Sequence, residues 1–201
     1  MNHYKLSDFI RDLTNVVETT NSDSERVPQA EHHLSKLLSS KSWLPMEKMY
    51  AGNNSYGRHS LYRDPQDRFE ILALIWEPEH STPLHDHDGT WGVEGVFSGR
   101  MKIFNYLQSE SYSNQTTKLR YAGTMTINEQ STGELLPPAD CHILKPQGEE
   151  TVITIHVYGK QLKKFRVFEQ TDQKDIYLTH QKTVGYTTET CLEGNEINKI
   201  R

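Results

Sequence analysis

The sequence predicts an all-β fold, an antiparallel sandwich or barrel, with a helical cap at its N-terminal end. Helical spacing of apolar residues is confined to the stretch before residue 41. From Met46 onward, short runs rich in β-branched and aromatic residues follow one another, broken by Gly, Pro, Asn and Asp, with no long helix between them. Only 34% of the 201 residues are apolar, and the 12 glycines still leave that class below the ~45–50% usual for soluble globular chains. Such a composition suits a thin β architecture with many polar strand positions. Disorder is excluded by 10 Tyr, 6 Phe and 3 Trp, too many large rings to be left unburied.

Taken in order, Leu6, Phe9, Ile10, Leu13, Val16 and Val17 recur at helical spacing and predict an amphipathic helix over 6–19. A polar loop over 19–26 is expected to end it. Pro28 is then read as a first-turn proline, with Ala30, Leu34, Leu37 and Leu38 as the apolar stripe of a second helix reaching residue 40. Strands are predicted at 55–62, 69–76, 82–87, 92–97, 101–107, 118–121, 125–127, 141–145, 152–158 and 165–168. Ser98-Gly99 is a hairpin signal between two of them. Beyond Thr171 the text turns polar. Ile176, Tyr177 and Leu178 are read as one more edge strand, and 187–201 as a tail pinned by Ile197 and Ile200. The length fits one domain, 1–201, divided into a helical part at 1–45, a β part at 46–170 and a C-terminal strand and tail at 171–201.

The charge balance, 22 Lys+Arg against 27 Asp+Glu for a net of −5, offers no basic surface for nucleic acid. No stretch approaches the ~18 apolar residues of a membrane span, and residues 1–12 lack the apolar core of a secretory signal, so a cytoplasmic protein without membrane or nucleic-acid partners is expected. A monomer is the default. Cys141 and Cys191 are then expected as free thiols.

The ten histidines are the unusual feature. In Thr82-Pro83-Leu84-His85-Asp86-His87, residues i and i+2 of a strand project to one face, so His85 and His87 aim two imidazoles at one point. Borderline cations such as Fe(II), Zn(II) or Ni(II) suit that donor. His142 opens a later strand and is the candidate third ligand. On 152–158, Val152, Thr154, His156 and Tyr158 alternate against Ile153, Ile155 and Val157, which lines up three polar side chains. A sheet face turned to water is the competing reading of that row. His3, His32, His33, His80 and His180 are read as solvated.

His85-x-His87, Gly99 closing the hairpin, and His142 together resemble the two-part metal motif of the cupin barrels, the double-stranded β-helix or jelly-roll fold. The common cupin pattern carries a Glu four or five residues after the second His; Trp91 and Gly92 stand there, and Glu94 falls beyond it. A neutral three-histidine set remains, which narrows the resemblance to the thiol dioxygenases. Four blocks are similar to cysteine dioxygenase of bacterial type: Tyr56-Gly57-Arg58, Trp76 ahead of His85-Asp86-His87, Cys141-His142, and Thr154-x-His156-x-Tyr158. They span residues 56–168.

This resemblance implies a cupin barrel in which His85, His87 and His142 hold Fe(II), and a small thiol and O2 as substrates. It implies that Arg58 pairs with the substrate carboxylate, that Tyr56 and Trp76 line the pocket, and that Thr154 orients His156 and Tyr158 as catalytic groups. The activity it implies is addition of both atoms of O2 to the sulfur of L-cysteine to give cysteine sulfinic acid. Such chemistry is consistent with the residues: a guanidinium matches a carboxylate in a way an ammonium does not, and a nearby cation favours the thiolate over a thiol of pKa ~8.5. In the animal enzymes a cysteine cross-linked to the tyrosine stands where Gly92 is, so Tyr158 is expected as an unmodified phenol. Relatives that oxidise 3-mercaptopropionate tend to carry Gln at the position of Arg58, which favours cysteine here. A three-histidine Zn(II) lyase or hydrolase and a non-enzymatic metal-binding cupin are the competing classes.

Overall fold

The computed structural model describes residues 4–52, 56–111 and 115–189; Cys191, Ile197 and Ile200 lie outside them. Helix α1 spans Leu6–Thr19, as the periodicity predicts. Helix α2 spans Asp23–Leu38 and starts earlier than expected, because Ser22 caps it by accepting from the Glu25 N–H. Pro28 therefore sits inside the helix, not in its first turn, and the linking loop shrinks to a few residues. A short 3-10 turn, Met46–Lys48, leads to the strands.

The strands are β1 (Tyr56–Arg63), β2 (Glu70–Trp76), β3 (Gly92–Ser98), β4 (Arg100–Ser111), β5 (Thr116–Asn128), β6 (Thr132–Leu135), β7 (Cys141–Pro146), β8 (Val152–Tyr158), β9 (Lys164–Gln170) and β10 (Ile176–Thr183). The two runs predicted at 118–121 and 125–127 are one long strand, β5, that pairs with β4 through register shifts near Asn105 and Gln108. Strand β6 is too short and polar to show in the sequence pattern.

Two antiparallel five-stranded sheets result, in the orders β1-β2-β8-β3-β6 and β7-β4-β5-β10-β9. They pack face to face and do not close into the barrel that was expected. The strand expected at Ile176–Leu178 is present as β10 but departs in place and length: it lies between β5 and β9, pairing with both, instead of at an edge, and it continues to residue 183. The predicted strand at 82–87 is an irregular segment bridged only at His85. Pro83 has no N–H to give to a ladder, and Asp88 and Gly89 take positive φ of 54° and 71° in the turn that follows. The segment is nonetheless held on both sides. Thr82 N–H donates to Leu144 O and His85 N–H to His142 O on β7, while Asp86 N–H donates to Arg166 O on β9.

Alternation along the strands divides the core in two. Ile71, Ala73, Ile75, Val93, Phe97, Ile155 and Val157 face outward from the first sheet and pack against Leu6, Phe9, Leu13, Leu34 and Leu38 of the helices. The helices thus cover a sheet face and not the end of a barrel. Leu72, Leu74, Trp76, Val96 and Tyr158 face inward against Met101, Ile103, Ile127 and Leu144 of the second sheet. Among the described residues, no helix is long and apolar enough to cross a membrane.

Gly95 sits on the outward face of β3 where Leu38 of α2 seats, and a Cβ there would collide with the Leu38 methyl and crowd Ser131 O and the Thr132 methyl at 3.1 Å. Replacing it by Val is expected to lift α2 off the sheet and to cost ~1–3 kcal/mol, read as a lower urea midpoint.

Candidate functional site

His85, His87 and His142 come together, with their candidate ligand nitrogens all within 4.8 Å of one another. His85 and His142 arrive as bridge partners, and their rings lie 4.8 Å apart between centroids. His87 follows two residues after His85, and its ring is 5.2 Å from that of His85 and 4.9 Å from that of His142. The i/i+2 argument therefore gives the right side of the chain even though the segment is not a regular strand. All three rings are buried.

Hydrogen bonds fix which nitrogen of His85 and of His87 faces the cluster. His85 Nδ1 lies 3.0 Å from Pro83 O, a carbonyl that can only accept, so Nδ1 carries the proton. His87 Nδ1 likewise donates to Asp140 Oδ2 at 3.2 Å. His142 Nδ1 lies 3.7 Å from Glu94 Oε1. The Nε2 atoms of His87 and His142 are buried without a hydrogen-bond partner. Orphaned buried imidazole nitrogens are costly, and three converging neutral nitrogens are what a borderline divalent cation accepts. The residues present fit a metal ion. Burial, reinforced by the neighbouring histidines, keeps the His85 and His142 rings neutral: it pushes His85 down to about 3 and His142 well below the usual histidine range. Burial opposes ionisation of Asp140, but its hydrogen bonds from His87 outweigh that and hold its carboxyl below the usual range.

A relay of hydrogen bonds lies beside the cluster on β2 and β8. Trp76 Nε1–H donates to Thr154 Oγ1 at 2.8 Å, leaving the Thr154 hydroxyl proton for His156 Nε2, also at 2.8 Å. His156 then carries its own proton on Nδ1, which faces Tyr158 OH at 3.1 Å and Glu94 Oε2 at 3.3 Å. In this arrangement each group donates once, and the phenol proton of Tyr158 is left unspent. Burial keeps His156 neutral and holds the Tyr158 phenol protonated, well above its ordinary range. The row on β8 thus lies between the sheets and not in water. Gly92 is the register partner of Tyr158, and a Cβ there would crowd Val157 O at 2.8 Å and the tyrosine ring at 3.1 Å.

Tyr56, Arg58, Trp76, His85, His156 and Tyr158 line one cavity of about 170 Å³. His87 and His142 do not line it; His85 is the cluster member that it reaches. Arg58 Nη2 donates to Leu162 O at 2.9 Å, whereas Nη1 is buried without a partner. Tyr56 packs against Trp76 with centroids 4.8 Å apart. His80, read from the sequence as solvated, is half-buried, stacks on Tyr56 at 5.2 Å and lines the same cavity. Cys141 points away, as alternation from His142 requires, into an outer cluster with Leu84, Leu119, Phe168 and Tyr177.

Two residues of the site were not predicted. Glu94 is buried between His142 and His156, and burial raises its carboxyl to about 7. Its signal was present: on β3 it shares the inward face with Val96, where a carboxylate is out of place. Asp140 gave no periodic signal, since it precedes β7 in an irregular turn.

Because Asp140 is the acceptor that orients His87, Asp140→Asn is expected to weaken divalent metal binding by roughly 10-fold or more without unfolding the chain. Competition with a chelator, followed by Co(II) absorption, measures it.

No family model matches the chain. Among solved structures it is similar to the cupin domain of Schizosaccharomyces pombe Cnp3, at 11% identity over 54% of this chain and 67% of that one, with a TM-score of 0.40. It is similar to an oxalate oxidase in complex with the substrate analogue glycolate, at 15% identity, 61% coverage of each chain and a TM-score of 0.43. An uncharacterised conserved protein with a double-stranded β-helix domain from Klebsiella pneumoniae matches at 15% identity over 60% of this chain and 85% of that one, with a TM-score of 0.44. The chain spans less than two thirds of the oxalate oxidase. These structure neighbours are cupin-fold proteins, and at such scores and identities no ligand or reaction follows from them.

Proposed function

We propose that the protein is a thiol dioxygenase, adding both atoms of O2 to the sulfur of L-cysteine to form the sulfinic acid, with Fe(II) held by His85, His87 and His142. One observation carries this reading. A buried guanidinium with a free Nη1, a phenol 3.1 Å from His156 Nδ1 and a three-histidine cluster all border or adjoin a single cavity of about 170 Å³, the size of a small molecule. A site that only stored metal has no use for Arg58 and Tyr158 in that arrangement.

Fe(II), when bound, supplies the point at which thiolate and O2 meet, and a positive charge that favours the thiolate. The remaining steps belong to the chain. Arg58 Nη1 pairs with the substrate carboxylate and fixes which end of the molecule faces the histidines. Trp76 and Tyr56 wall the cavity and exclude water beside it. Thr154 and Trp76 set the tautomer of His156, which donates from Nδ1 to Tyr158 and leaves the phenol to donate into the reacting space. Holding both reactants in place is worth up to ~7–11 kcal/mol of barrier in well-oriented systems.

The test is a thiol panel assayed with Fe(II)-loaded protein for oxygen uptake, with labelled O2 traced into product. L-cysteine is expected to give one sulfinate per O2 with both labels retained. No uptake with cysteine, 3-mercaptopropionate or cysteamine overturns the reading, and full Zn occupancy with an O2-insensitive activity favours a lyase. Arg58→Gln is expected to lower cysteine turnover by roughly 10²-fold, and that of 3-mercaptopropionate by less. Equal losses detach Arg58 from the choice of substrate.

A further inference from the structure

After β10 the chain crosses from the second sheet to the first. Thr187 N–H donates to Arg58 O at 2.7 Å, Ser60 N–H to Thr188 O at 3.1 Å, and Arg58 N–H to Thr187 Oγ1 at 3.0 Å. His59 faces away from the cavity and is fully buried, with Nδ1 2.9 Å from Thr188 Oγ1 and Nε2 2.7 Å from Tyr50 O. Lys48 Nζ donates to the same Thr188 hydroxyl at 2.9 Å. Residues 186–189 are therefore docked along β1 by both backbone and side chains.

Docking brings the ring of Tyr186 against the Arg58 guanidinium, whose Cζ lies 4.4 Å from the ring centroid. The Tyr186 hydroxyl donates to Glu70 Oε1 at 2.7 Å and accepts from Gln161 Nε2 at 3.0 Å. Ser60 Oγ donates to the same Glu70 oxygen at 3.1 Å. Glu70 is fully buried, and its other oxygen, Oε2, stands 3.8 Å from Arg58 Nη2 with no hydrogen-bond partner. An unrestrained buried carboxylate beside an arginine closes into a short, two-pronged pair. That closure does not occur here. Oε1 is tied to two hydroxyls and faces Arg63 Nη2 at 3.5 Å, the guanidinium face is occupied by the Tyr186 ring, and Nη2 is spent on Leu162 O, while Nη1 is buried without a partner.

We infer that Tyr186 is a positioning residue for carboxylate recognition: its ring seats the Arg58 guanidinium and its hydroxyl holds Glu70 off, which reserves Nη1 for the carboxylate of an incoming thiol. The inference rests on the thiol reading above, and on a substrate that carries a carboxylate.

The experiment is anaerobic titration of Co(II)-loaded protein with L-cysteine and with cysteamine, which lacks the carboxylate, followed by thiolate-to-metal absorption. Wild type is expected to bind cysteine more tightly. Tyr186→Phe keeps the ring but removes the shortest of the hydrogen bonds that hold Glu70 Oε1, and is expected to weaken cysteine binding by roughly 10-fold with cysteamine unchanged. Tyr186→Leu removes the ring as well and is expected to weaken it further. Adding Glu70→Gln to Tyr186→Phe is expected to recover most of the loss, since the competing charge is gone. Cysteine binding unchanged in Tyr186→Phe, or equal losses for both thiols, overturns the inference and leaves the thiol reading standing. Wild type that binds neither thiol overturns both. Should Tyr186→Leu fail to fold, Tyr186→Phe with its Glu70→Gln partner carries the test.

Discussion

Taking imidazole out of water sets the terms for the rest of this structure. A buried ring must be neutral, its one N–H must find an acceptor, and its remaining lone pair must find something to hold. Between the two sheets the second demand is met for His85 by Pro83 O, for His87 by Asp140, and for His156 by Tyr158. What is left over is a set of nitrogen lone pairs with no protein partner. The site is thus defined as much by what the surrounding acceptors consume as by the histidines.

Strand β8 is where this polar interior meets the apolar one. Its outward residues, Ile153, Ile155 and Val157, belong to the layer under the helices, and its inward residues run from Val152 through Thr154 and His156 to Tyr158. Pairing with β2 places Thr154 beside Leu74 and His156 beside Leu72, while pairing with β3 places His156 beside Glu94. Register therefore transmits positional precision from the packed outer face to the reactive inner face. A one-residue slip of β8 would exchange the two faces.

Much of this was legible in the sequence because period-2 alternation survives burial. The row on β8 and the divergence of Cys141 from His142 follow from alternation alone, and the i/i+2 spacing of His85 and His87 gives the right side of a segment that is not a strand. Legibility failed where the chain leaves regular strands. Pro28 reads as a helix start, yet Ser22 outcompetes it as a cap. Residues 82–87 read as a strand, yet Pro83 and the Asp88-Gly89 turn keep them irregular. Asp140 and Tyr186 sit in turns and crossings whose partners are distant in sequence, and no local pattern announces them. Closure into a barrel was expected from strand number and from resemblance, neither of which specifies where the sheet edges fall.

Those edges carry a consequence for the way the molecule survives as a folded species. A bare strand edge is a template for pairing with another chain. Here the β1 edge is occupied by residues 186–189, the β6 edge is only four residues long, and the gap between β7 and β9 is filled by the segment 82–87. That last plug ends in His85 and His87, two of the three clustered imidazoles. Whatever cation ties them to His142 on β7 also fastens the cover of two sheet edges, so that the element guarding the protein against self-association is anchored by the same atoms that form its histidine cluster.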